Sequence, residues 1–207
     1  MSPEIWFAFA LASAALLAIP GPTVILAVSY ALGRGRQSAW ATVPGVTLGD
    51  FTAMTISLAG AGALLATSAT LFTVLKFAGA AYLIWLGIGL WRASPEPARI
   101  TRRGGAEWRE MFLNSYVVTA LNPKSIVFFI AFVPQFVDPE RPLLLQFAIL
   151  EATFLTLAAI NIALWAVLVG EMRSRFEKPS TLRMINRLGG SFLIGAGLLT
   201  ALTRRSA

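Results

Sequence analysis

The chain contains no cysteine and no histidine. Their absence excludes disulfides, thiol redox relays, and thiolate or imidazole metal sites. Charge is scarce as well: Asp, Glu, Lys and Arg make up 13% of 207 residues, with 10 acids among them. A metal site built from so few carboxylates has little support, and no cofactor is expected. A glycine-rich phosphate loop with its lysine is also missing, so energy from ATP would have to come from another subunit. The net charge of +7 is spread over short loops between apolar runs. No contiguous basic domain is left to track a phosphate backbone, which excludes a nucleic-acid partner. No residue is assigned a catalytic role, and the chain does not read as an enzyme.

Apolar residues are abundant. Hydrophobic residues make up 57% and the mean hydropathy is +0.71. A soluble domain of this length cannot hide so much apolar surface, so the solvent must largely be lipid. Six segments are long enough to cross a bilayer, near 5–32, 38–66, 70–91, 112–134, 143–170 and 188–203. The first opens with Ser2-Pro3-Glu4 rather than a basic stretch and is too long for a signal peptide, so it is read as a retained span.

Basic residues divide unevenly between the loops. Arg34 and Arg36 follow the first span. Arg92, Arg99, Arg102, Arg103 and Arg109 follow the third, and Arg173, Arg175, Lys178, Arg183 and Arg187 the fifth. The other side holds Arg141, Arg204 and Arg205. The positive-inside rule then puts both termini outside. The loop 93–111 begins Ser94-Pro95-Glu96-Pro97 and ends around Trp108, which reads as a linker with an interfacial anchor.

Two pieces of the chain repeat each other. Pro22 is followed 28 residues later by Asp50, and Pro123 is followed 28 residues later by Glu151, an offset of 101. The third span carries Gly79-Ala80-Ala81-Tyr82-Leu83-Ile84 and Gly87, the sixth Gly189-Gly190-Ser191-Phe192-Leu193-Ile194 and Gly197, at an offset of 110. Three spans per half is an odd number, so the halves enter the membrane with opposite polarity. The expected fold is an all-α membrane protein of six transmembrane helices in two inverted three-helix repeats, with helices 1 and 4 broken at prolines. It is read as one domain: repeat one about 1–92, a cytoplasmic linker 93–110, and repeat two about 111–207.

The chemistry is expected at the two breaks. Pro20-Gly21-Pro22 removes two N–H donors, which frees the carbonyls of Leu16 and Ala18, and Gly21 allows a sharp turn. A break leaves a free carbonyl end and the N-terminus of a second half-helix. The first can accept an ammonium; the second carries positive partial charge and can bind a carboxylate. In the second half, Pro123 frees the carbonyl of Thr119 and Asn122 is suited to cap the new helix. Lys124 then sits where the helix dipole disfavours a cation, so an anionic partner is expected: Asp50, Glu151 or a ligand carboxylate.

Asp50 lies deep in the second span, either capping the first break or binding an amine or proton. Glu151 carries a similar but weaker reading in the fifth. Lys76 reads as a snorkelling residue. Asn114, Asn161 and Gln135 read as bridges between helices.

These residues resemble the LysE family of bacterial amino-acid exporters, in particular its homoserine/threonine resistance-type branch. The likeness rests on Pro20-Gly21-Pro22, Gly33, Gly35, Gly45, Gly49-Asp50, Lys76, Gly79, Tyr82-Leu83 and Gly87. It is strongest at Asn122-Pro123-Lys124, Phe128-Phe129 and Phe132-Val133-Pro134-Gln135-Phe136. Ala39, and Asn114 or Ser115, stand where family members often have glycine. The resemblance implies a multi-pass exporter of amino acids in the inner membrane, driven by the proton gradient, with a homodimer as an assembly it allows.

The function expected is export of small amino acids, or close derivatives, by proton antiport. Pro20, Gly21, Pro22, Asp50, Asn122, Pro123, Lys124 and Glu151 are the candidate binding and coupling residues, and Phe128, Phe129 and Phe132 candidate lining residues. Two alternatives stay open at this point: export of another small cation or metabolite, and a non-transporting assembly or regulatory subunit.

Overall fold

Each apolar segment is helical in the computed structural model, which describes residues 1–67, 69–92, 106–138, 141–176 and 179–202. The Ser94-Pro95-Glu96-Pro97 stretch lies outside the described residues, as do Arg99, Arg102, Arg103, Lys178, Arg204 and Arg205. The side chains of Lys76, Arg173 and Arg175 are likewise outside the described set.

The helices are α1 (Pro3–Ala18), α2 (Pro22–Arg34), α3 (Ala39–Thr67), α4 (Ala69–Arg92), α5 (Trp108–Ala120), α6 (Pro123–Ala131), α7 (Leu143–Phe176) and α8 (Pro179–Leu202). No strand occurs among the described residues. Local chemistry explains the starts. Ser2 caps α1, its hydroxyl accepting from the Ile5 N–H, and Pro3 takes the first turn, where its missing N–H costs nothing. The same rule places Pro22 and Pro123 at the starts of α2 and α6. Gly35 ends α2 with φ 68°, a left-handed conformation that favours glycine, and a 3-10 turn over Gly35–Ser38 leads into α3.

The two expected helix breaks are present. Pro3–Ala18 meets Pro22–Gly60 at 55°, and Trp108–Ala120 meets Pro123–Phe136 at 45°. Among the described residues, α7 is long and apolar enough to cross a bilayer by itself over Leu143–Val169. Each bent pair meets the same measure when taken as one span.

Small residues set the closest helix approaches. A Cβ added to Gly45 would fall 2.6 Å from the Phe112 carbonyl oxygen, and one added to Gly49 would fall 2.7 Å from that of Tyr116. These contacts hold α3 against α5 backbone to backbone. α4 and α8 pair in the same way: a Cβ added to Gly87 or Gly190 would fall 2.6 Å from the other's carbonyl oxygen, and one added to Gly197 would fall 2.7 Å from that of Ala80.

The largest buried cluster joins Phe9, Leu16, Met54, Phe128, Phe129 and Phe154. Phe129 meets Phe154 edge-on with centroids 4.8 Å apart, and Phe128 stacks with Phe132 at 4.9 Å. Large apolar side chains such as Trp40, Ile56 and Leu144 are exposed, as a lipid-facing surface requires.

Candidate functional site

The two breaks meet at one narrow crevice. Gly21, Asp50, Asn122 and Lys124 line it, as do Leu16, Leu17, Thr23, Ser125 and Asn161. α1 and α2 bring their broken ends, α6 its first turn, α3 the acid and α7 the asparagine.

Lys124 reaches across from the second break to the first. Its Nζ donates to the Leu16 carbonyl oxygen at 3.0 Å and to that of Ile19 at 3.0 Å. The sequence points to Leu16 as a carbonyl freed by Pro20, and a cation now satisfies it. Asn161 completes this cap, its Nδ2 donating to the Leu17 carbonyl oxygen at 3.1 Å. The partner anticipated for Lys124 was an anion. Among the described residues no ion pair within 4.0 Å joins it to Asp50 or Glu151; a free helix end carries enough negative partial charge to take that place. The cation is disfavoured by the dipole of its own helix, α6, and favoured by that of α1.

At the second break Asn122 caps α6, its Oδ1 accepting from the Lys124 N–H at 3.1 Å. The Thr119 carbonyl oxygen freed by Pro123 accepts the Asn122 N–H at 3.0 Å. The same asparagine's Nδ2 donates to Thr23 Oγ1 at 3.3 Å, and Thr119 Oγ1 donates to it at 3.2 Å. The α2 N-terminus has no side-chain cap. Gly21, Thr23 and Val24, at that start, border the crevice.

Gly21 has φ −116° and ψ −171°, extended backbone open to any residue, so the anticipated sharp turn is not what calls for glycine. A Cβ there would sit 3.3 Å from Lys124 Nζ, so the lysine end would have to shift by a few tenths of an ångström. Pro20, Pro22 and Pro123 do not line the crevice, and act through the backbone they interrupt.

Asp50 is 2% exposed and borders the crevice. Glu151, its counterpart in the repeat, does not join it there. Instead it accepts a hydrogen bond from Thr55 Oγ1 at 2.6 Å between α7 and α3. Phe128, Phe129 and Phe132 do not line the crevice either, because the aromatic core with Phe154 takes them up.

The bridging asparagines are found as such: Asn114 donates to the Tyr30 hydroxyl at 2.8 Å, while Gln135 turns back to its own Ala131 carbonyl oxygen. Thr23 and Asn161 carry site contacts that sequence reasoning missed or undervalued. The repeat holds a signal for Thr23, which stands 101 positions before Lys124.

A family model described as "LysE type translocator" matches residues 14–204. The chain belongs to the LysE family. It is 34% identical over 206 residues to a protein of Salmonella typhi named "Homoserine/homoserine lactone efflux protein", with both chains covered in full. It is 28% identical to a "Leucine efflux protein" of Enterobacter sp. (strain 638), covering 86% of this chain and 84% of the relative. A membrane protein of Vibrio cholerae is 32% identical over 97% of this chain and 98% of its own. No solved structure matches. This LysE-family chain is therefore a membrane translocator and not an enzyme.

Proposed function

We propose that this LysE-family protein exports small amino acids, or close derivatives such as lactones, across the bacterial inner membrane in exchange for protons. One observation carries the reading. An acid, a cation and an uncapped helix N-terminus converge on a single crevice between two helix breaks. A zwitterion needs a receptor for each of its ends a few ångströms apart. The amides that open α2, with Lys124 nearby, serve the carboxylate, and Asp50 serves the amine. Proton entry at Asp50 from outside then neutralises it and releases the substrate. The names of the relatives in Salmonella typhi and Enterobacter favour the same substrate class. Lys124 beside Asp50 argues against a simple inorganic cation as cargo.

Six spans in two inverted repeats, with both termini outside, remain the proposed topology. α2 packs on α7 as α6 packs on α3. The α4–α8 contacts of Gly87 with Gly190 and Gly197 with Ala80 exchange under the 110-residue offset, the pattern of a two-fold relation. A homodimer is compatible with this arrangement.

Counterflow of a labelled amino-acid panel into proteoliposomes, with and without a pH gradient, tests the function. Uptake of a small neutral amino acid, accelerated by the gradient, is expected. A panel with no counterflow of any member would overturn the proposal.

A further inference from the structure

The Lys124 ammonium fills a cradle that its own helix did not make. Its two acceptors, Leu16 O and Ile19 O, belong to the carbonyl end of α1, and each lies 3.0 Å from Nζ. An ammonium has three N–H donors, so one remains for a further acceptor. Asp50 borders the same crevice. Asn161 donates to the intervening Leu17 carbonyl, a hold on the cradle that does not run through Lys124. Lys124 is also the movable member of the set, a four-carbon stem with a point charge, held against the dipole of its own helix.

We propose that the carbonyl end of α1 acts with Asp50 as the recognition site for a primary ammonium group, its two oxygens held by Lys124 when the transporter is empty and by the amino group of the cargo, whose third N–H is left for Asp50, when it is loaded. The displaced Lys124 is then free to pair with the cargo's carboxylate. The proposal rests on the amino-acid reading above and deepens it.

The cradle is selective by geometry. Two oxygens at hydrogen-bond distance require N–H donors on the ligand. A trimethylated nitrogen carries no N–H and can satisfy neither oxygen. Primary amines have the donors the two oxygens need, and quaternary amines have none.

The test refills the cradle. Lys124→Ala removes three methylenes and the nitrogen, the size of propylammonium. Propylammonium is expected to raise the Tm of detergent-solubilised Lys124→Ala by on the order of 5–10 °C at about 100 times its dissociation constant. Propyltrimethylammonium should leave it unmoved. Lys124→Met, whose stem still fills the space, should respond to neither. No shift with propylammonium, or equal shifts with both amines, overturns the proposal.

Should Lys124→Ala not fold, the wild type carries the test. The chain has three lysines. Lysine-15N labelling, with Lys76→Arg and Lys178→Arg for assignment, isolates the Lys124 ammonium signal. It should move on adding a transported amino acid and stay put with that compound's trimethylated form. A signal unmoved by saturating amino acid overturns the proposal. Propylammonium binding without amino-acid counterflow would sink the transport reading and leave the cradle; counterflow without propylammonium binding would do the reverse.

Discussion

Thr23 and Lys124 stand 101 positions apart, each directly after the proline that opens a half-helix, and each serves the opposite break. Lys124 gives its ammonium to the Leu16 and Ile19 carbonyl oxygens at the end of α1. Thr23 receives hydrogen bonds from Thr119 and Asn122 at the end of α5. Equivalent positions of the repeat thus tie the two breaks together. The ties are unequal in strength, since only one carries a full charge.

Removing the charged tie should cost stability as well as transport. Lys124→Met leaves two helix-end carbonyls without their donor, at about 1–3 kcal/mol for each buried one. A fall of at least 5 °C in the Tm of the purified protein is expected, on the order of what such a loss produces in a chain of this size. Lys124→Arg should not restore it, because the guanidinium is planar and bulkier and Gly21 is close by. Thermal unfolding of the three forms side by side decides this, and an unchanged Tm for Lys124→Met would count against the cap.

The neutral tie is measurable as a coupling. Asn122→Ala removes the α6 cap, worth roughly 0.5–2 kcal/mol, together with the bond to Thr23. Thr23→Val removes the acceptor alone. The double variant should be less destabilised than the sum of the singles by about 0.5–1.5 kcal/mol. Strict additivity would mean that the cross-break bond contributes nothing.

Glycines that hold α3 against α5 should separate from glycines that do not. Gly45→Ala and Gly49→Ala place a Cβ 2.6 and 2.7 Å from backbone oxygens, which forces the helices apart. Overpacking of this kind costs roughly 1–3 kcal/mol. Gly60→Ala meets nothing within 4 Å and should be neutral or slightly stabilising. Expression and monodispersity in detergent report the difference, and a Gly49→Ala protein as stable as the parent would contradict the packing described.

Much of this was legible in the sequence, because prolines and capping residues act locally. Pro22 and Pro123 mark both breaks, Asn122 reads as a cap, and Pro20 frees the Leu16 carbonyl. The partners across helices were less legible. A search for opposite charges finds Asp50 or Glu151 for Lys124 and overlooks main-chain carbonyls, which carry no letter in a sequence. Repeat logic also overreaches at Glu151: its position matches that of Asp50, yet its surroundings come from α3 and Thr55. Phe128, Phe129 and Phe132 show the same limit, since which way a helix turns its aromatics depends on neighbours such as Phe154.

That contrast leads to the most direct experiment, gradient-driven uptake of a transported amino acid into proteoliposomes by wild type, Asp50→Asn and Glu151→Gln. Asp50 borders the crevice and Glu151 does not. Glu151→Gln should therefore retain accumulation within about 3-fold, a loss of under 1 kcal/mol. Asp50→Asn should still exchange labelled for unlabelled substrate but no longer accumulate it when a pH gradient is imposed. Full accumulation by Asp50→Asn would contradict the role given to this acid.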